Sequence, residues 1–199
     1  MPYSAPVADY LFIFNKIVNF KQLTQEDRFS EVTMDLVAAI LEEAGKISTE
    51  VLAPLQRVGD TNPAFLENGV VRTSPGFGKA YQSIADNGWI GMAASSEYGG
   101  MGLPQSLMHA VNEMMGGACL SLQLNPVMTQ GQIEALEHHA SEDLKKLYLP
   151  KLISGEWSGT MNLTEPHAGS DVGALKSVAV PNEDGSYSVS GQKIYISWA

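Results

Sequence analysis

The hydrophobic period of this chain changes once, just after Gly155, and that change limits its fold more than any other feature. Upstream, apolar residues recur every three or four positions. Val32, Leu36, Val37, Ile40, Leu41, Ala44, Ile47 and Val51 make one such stripe, and Leu107, Ala110, Val111, Met114, Met115 and Ala118 make another. That spacing lines one side of a helix. Downstream, Val178, Val180, Tyr187, Val189, Ile194, Tyr195 and Ile196 fall in short runs of β type, with Asn182 to Ser186 as a hairpin loop. Helices followed by strands imply an α+β chain with an N-terminal all-α domain. The expected organisation is an N-terminal extension over 1–29, a helical domain over 30–156, and the start of a β domain over 157–199.

Punctuation residues set the expected boundaries. Pro54 should stop the helix that begins near Ser30. Residues 55–74 read as loop, with a short extended piece at Val70 and Val71. Ser74-Pro75 should start a helix that ends near Gly88, and Gly91 to Pro104 reads as a long surface turn. A helix from Pro104 should run towards Leu124, with Gly116-Gly117 marking a kink or a close approach. Asn125-Pro126 should break it before a further helix to His139. Ser141, followed by Glu142 and Asp143, should cap the next helix, with Pro150 near its end. Near the N-terminus, Leu11, Phe14, Ile17 and Val18 fall on one helical face, which reads as packing on protein; the segment is too short to span a bilayer. Ile194 to Ala199 reads as a strand cut off without a turn, so the expectation is a longer protein continuing the sheet.

A net charge of −10 argues against a broad nucleic-acid or anionic-membrane surface, though not against a local pocket for an anionic ligand. With one cysteine, Cys119, there is neither a disulfide framework nor a cysteine-based metal site. The default compartment is the cytoplasm.

Trp157 to Asp171, WSGTMNLTEPHAGSD, concentrates glycine, proline, hydroxyl and acidic residues where a plain strand would continue. Close approach of the backbone to a polar, planar or phosphorylated ligand explains such a cluster. Within it, LTEPHAGSDVG (163–173) resembles the signature of the acyl-CoA dehydrogenase superfamily, and GQKIYIS (191–197) resembles that family's second flavin-contacting strand at the expected separation. NGWIGMAASSEYGGMGLP and LYLPKLISGEWSGTMNLTEP, with the opening MPYSAPVADYLFIF, are similar to the 3-methylmercaptopropionyl-CoA dehydrogenase-like branch.

The resemblance implies a β-barrel-like middle domain after the helices, FAD as cofactor, an acyl-CoA thioester as substrate, electron-transfer flavoprotein or a similar acceptor, and a homo-oligomer. It places Met161, Leu163 and Thr164 along the flavin ring, with Thr164 as hydroxyl donor; Met161 departs from the aromatic residue often found there. Gly169 and Ser170 match the loop near the flavin phosphate and the thioester. Tyr195 takes the position of the aromatic that covers the ring, and Ser197 that of the hydroxyl at N5. Tyr98 and Gly99 match the neighbourhood of the acyl pocket. In isolation, a Tyr and a Ser alternating along a strand read as one core and one surface residue. Joined to LTEPHAGSD, the cofactor reading takes over.

No residue of this chain is expected to be the catalytic base. Glu165, before Pro166 in a turn, should make a local or inter-strand bond, and Asp171 should fix its loop through backbone N–H groups. The family's base lies beyond Ala199. With few flavin contacts present, residues 1–199 alone should hold FAD poorly. His138-His139 point apart on a helix, and Gly76-Phe77-Gly78 lacks the rest of a dinucleotide fingerprint. The competing readings are an acyl-CoA oxidase or flavin monooxygenase of the same fold, and a non-catalytic helical interaction module.

Overall fold

A computed structural model describes residues 3–198. Most of the structure is helical: α1 (Val7–Phe12), α2 (Phe20–Leu23), α3 (Met34–Lys46), α4 (Ala53–Thr61), α5 (Phe77–Asp86), α6 (Gln105–His139) and α7 (Glu142–Ile153). Two antiparallel hairpins complete it, β1 (Phe65–Glu67) with β2 (Val70–Arg72), and β3 (Val178–Pro181) with β4 (Tyr187–Ser190).

The α3 helix shows how local chemistry and packing agree. Thr33 caps it by accepting the Leu36 N–H at 3.2 Å, Asp35 lies in its first turn and Lys46 in its last, which suits the helix dipole. Val37, Leu41 and Ala44 on its inner face are buried. They meet Leu52, Ile84, Leu107, Met114, Met115 and Leu149 in one core. Each such aliphatic side chain contributes about 1.5–3 kcal/mol on burial.

Pro54 does not stop the chain's helical course. The backbone widens into a π turn over Ile47–Leu52, and α4 then starts at Ala53 with Pro54 in its first turn, where a missing N–H costs nothing. Residues 53–61, expected as largely loop, are therefore helix. The α5 helix begins at Phe77 after Gly76 at φ +86°, three residues beyond the expected Ser74 cap. Gly91 to Pro104 is not a surface turn throughout, since Ile90, Met92, Ala93 and Ala94 are buried in the core.

The break in α6 falls at Cys119 (φ −153°, ψ 85°), not at Asn125-Pro126. Asn112 donates from Nδ2 to Gln130 Oε1 at 2.7 Å, and Gln123 Nε2 donates to Asn112 Oδ1 at 3.0 Å. Eighteen residues along a straight helix would stand about 27 Å apart. The chain therefore folds back at Cys119, and this amide ladder bridges the two limbs. Gly117 lies just before the bend, where a Cβ would sit 3.3 Å from the Tyr3 ring; Tyr3 donates its hydroxyl to the Met114 carbonyl at 2.6 Å. Close approach is the role of that glycine.

At the N-terminus Tyr10, Phe14 and Phe20 are buried, but Ile17 and Val18 are exposed because Ile13–Ile17 winds as a π turn and shifts the face. No helix among the described residues is long and apolar enough to cross a membrane. The β3–β4 hairpin forms with its loop at Asn182–Ser186, and its residues are exposed on both faces.

Candidate functional site

After α7, Gly155 at φ +75° turns the chain, and the Trp157 N–H donates to the Lys151 carbonyl at 3.0 Å. The segment then lies against the second limb of α6. Thr129 Oγ1, fully buried, donates to the Asn125 carbonyl and accepts the Gly159 N–H, both at 3.0 Å. That bond starts the 160–164 stretch from a fixed point on the helical domain.

The stretch meets residues 194–197 in an antiparallel arrangement. Met161 bridges Ser197, Thr160 Oγ1 donates to the Ser197 carbonyl, and the Ile194 N–H donates to the Thr164 carbonyl at 2.9 Å. One register satisfies all three contacts, and it sets Leu163 opposite Tyr195. Side chains directly opposite share a face. Met161, Leu163, Tyr195 and Ser197 thus belong to one side of the pair, and Met161 (55% exposed), Leu163 (39%) and Tyr195 (87%) stand open to solvent. Thr164 belongs to the other side, towards Gly169, where a Cβ would fall 3.3 Å from Thr164 Cγ2. The pairing is not a full strand: Tyr195 has φ +56° and Trp198 φ +59°, which break the ladder expected over 194–199.

Glu165 locks the turn that follows. Its backbone exchanges two hydrogen bonds with Ala168, and its side chain is 3% exposed. Glu165 Oε2 accepts the Lys176 N–H at 2.7 Å, and Oε1 accepts the Ser177 N–H and the Lys193 ammonium at 2.9 Å each. Ser177 Oγ also donates to Oε1. The Ser177 hydroxyl above all, then the Lys176 N–H and the Lys193 ammonium, hold this carboxyl far below the usual carboxylate range. Lys193 Nζ additionally donates to the Leu163 carbonyl at 2.9 Å. A carboxylate so committed joins the 163–168, 176–177 and 193 segments and has no proton to exchange near neutral pH. The Asp171 side chain, by contrast, makes no cap; only its carbonyl serves, accepting the Ala174 N–H at 3.2 Å.

Gly169 and Ser170 are exposed at the loop tip beyond this turn. Tyr98 and Gly99 lie elsewhere. Tyr98 donates its hydroxyl to Glu142 at the start of α7, and Gly99, at φ +95°, ends the short 3-10 turn Ser96–Tyr98. His138 and His139 are exposed at the end of α6.

Two features escaped the sequence reading. Lys193 is the counter-charge of Glu165, separated from it by 28 positions. Asn125, taken as a helix breaker, is buried at 6% exposure inside the second limb of α6, and its Oδ1 has no hydrogen-bond partner. It faces a cavity of about 270 Å³ walled by Phe77, Tyr81, Leu122, Ser158 and Trp198. A polar residue within an otherwise apolar helical stripe was the available signal. Trp198 anchors this corner by donating Nε1–H to the Ser121 carbonyl at 3.2 Å.

The family model for the acyl-CoA dehydrogenase N-terminal domain matches residues 39–156, more than half of the sequence. The chain belongs to the acyl-CoA dehydrogenase family. It is 43% identical, over its whole length, to 3-methylmercaptopropionyl-CoA dehydrogenase of Ruegeria pomeroyi, covering 34% of that protein. It is 32% identical over 98% of its length to a butyryl-CoA dehydrogenase of Syntrophomonas wolfei, covering 33% of that protein. The chain spans about a third of the length of these curated relatives. Among solved structures, the glutaryl-coenzyme A dehydrogenase–glutaryl-CoA complex superposes at a TM-score of 0.67 with 26% identity, covering 80% of this chain and 38% of that one. An acyl-CoA dehydrogenase from Bacillus anthracis complexed with FAD shares the fold at a TM-score of 0.67 and 24% identity, covering 83% of this chain and 27% of that one. The architecture is accordingly the family's helical N-terminal domain followed by the first elements of its middle domain.

Proposed function

We propose that this chain is the front portion of an FAD-dependent dehydrogenase that introduces an α,β double bond into an acyl-CoA thioester, with 3-methylthiopropanoyl-CoA as the preferred substrate. The observation that carries the reading is the Met161–Ser197 pairing, in a chain of this family. One register gathers Met161, Leu163, Tyr195 and Ser197 on one open face, although the sequence separates them by more than thirty positions. An apolar wall beside hydroxyl and backbone groups suits a flat heteroaromatic ring, so the residues present fit a flavin.

FAD, when bound, would accept the β-hydride. Met161, Leu163 and Tyr195 supply apolar surface for the ring, and Ser197 a hydroxyl at its reactive edge. Thr164 adds a hydroxyl on the side of Gly169, where the loop with Ser170 meets cofactor phosphate and thioester. Tyr98 and Gly99 belong to the substrate side on the strength of the resemblance. Glu165 holds these segments together and takes no proton. Removal of the α-proton falls to a carboxylate supplied from outside residues 1–199. Electron-transfer flavoprotein or a similar carrier would reoxidise the flavin, in a homo-oligomeric cytoplasmic enzyme; the buried free thiol of Cys119 suits a reducing compartment.

Turnover of the full-length protein with 3-methylthiopropanoyl-CoA, in air and under argon with an artificial electron acceptor, tests the reading. A dehydrogenase turns over under argon and consumes little oxygen. Oxygen-coupled turnover would instead make it an oxidase or monooxygenase.

A further inference from the structure

The cavity behind the strand pair contains one polar group that nothing in the protein satisfies. Asn125 Oδ1 is fully enclosed and unpaired, while its own carbonyl is taken by Thr129. A buried amide oxygen left without a partner costs about 1–3 kcal/mol. A side chain held at that cost, facing a cavity and not packed solid, marks a place where a ligand atom belongs. The remaining walls are chiefly apolar: Phe77, Tyr81, Leu122 and the Trp198 indole. Ser158 and Trp198 are also wall residues, and they flank the two segments that Met161 and Ser197 join. The cavity therefore begins where the candidate reaction site ends. Its volume, about 270 Å³, lies just under the range of pockets for drug-sized ligands and suits a short chain.

From this geometry we infer that Asn125 is a specificity-determining residue that reads a heteroatom within a short acyl chain. The inference rests on the dehydrogenase reading above and narrows its substrate class. A carboxamide has a donor end and an acceptor end, exchanged by rotation about its last side-chain bond. Turned one way, its N–H faces a thioether sulfur, a weak acceptor; turned the other, its oxygen takes a hydroxyl proton. A plain alkyl chain of the same length satisfies neither end and leaves the amide stranded. Discrimination then arises from the unpaired polar group, which apolar contacts alone achieve poorly.

Full-length enzyme tests this with a matched pair of thioesters, 3-methylthiopropanoyl-CoA and pentanoyl-CoA, which differ by sulfur against methylene. The wild type should favour the thioether by roughly three- to tenfold in kcat/KM, in keeping with a weak hydrogen bond. Asn125→Leu should abolish or reverse that ratio, chiefly through a higher kcat/KM for pentanoyl-CoA. Asn125→Ala, with the amide removed and the pocket enlarged, should also lose the preference. Thermal melting verifies that at least one variant is folded. A wild-type preference that survives in a folded variant overturns the inference and leaves the dehydrogenase reading standing. Equal wild-type rates on the two thioesters do the same. Failure of the wild type to oxidise any thioester overturns both.

Discussion

Thr129 and Gly159 are joined by a hydrogen bond of 3.0 Å, from the Gly159 amide to the Thr129 hydroxyl, with both residues buried. It ties the second limb of α6 to the first segment of the candidate cofactor site. Thr129→Val keeps the shape and removes the acceptor, stranding a buried N–H. The expected loss is about 1–3 kcal/mol of stability. Urea unfolding measures it, and limited proteolysis should show earlier cleavage within 157–171. An unchanged midpoint would mean that the Gly159 amide finds another partner.

Glu165 makes the same site sensitive to acid. Its carboxyl lies below its ordinary value near 4.5 in the folded protein because of the Ser177 hydroxyl, the Lys176 N–H and Lys193. A depressed folded pKa means that the unfolded chain binds the proton first, so the stabilisation is fully present above about pH 4.5 and is lost as pH falls towards the folded value. Glu165→Gln should melt at a lower temperature than wild type at pH 7. The gap should narrow steadily below pH 4.5. A constant gap from pH 7 down to pH 3 would contradict the role assigned to the charge.

Gly100 has no room for a side chain, since a Cβ there would overlap the Ala94 backbone carbonyl. That neighbour is main chain and cannot rotate away. Gly100→Ala should therefore destabilise by about 2 kcal/mol or more, as overpacking does in a closed core. Gly99 next to it has open space around its Cα, and its φ of +95° alone penalises substitution. Thermal unfolding of Gly99→Ala and Gly100→Ala should show the second to be the more damaging.

The period change after Gly155 was legible because burial on one helix face leaves a regular trace, and the β3–β4 hairpin was legible from its turn residues. Boundaries set by tertiary contact were not. Pro54 reads as a stop, yet a π turn places it in the first turn of a new helix. The fold-back at Cys119 leaves no mark at that residue; it is held by Asn112 and Gln130, which look like unrelated polar positions in the sequence. The site shows the same division. Ser197 and Met161 could be named from motifs, but their shared face depends on register. Glu165 and Lys193 pair through a turn that only the folded chain closes.

The most direct measurement is the visible spectrum of the full-length protein, purified without added cofactor and kept anaerobic, before and after addition of 3-methylthiopropanoyl-CoA. If the chain is the front of a flavin-dependent dehydrogenase, the protein is yellow and its flavin band bleaches on mixing. A protein that stays colourless even with FAD supplied would contradict the assignment, and the 160–164 and 194–197 segments would then be scaffold for an interaction module.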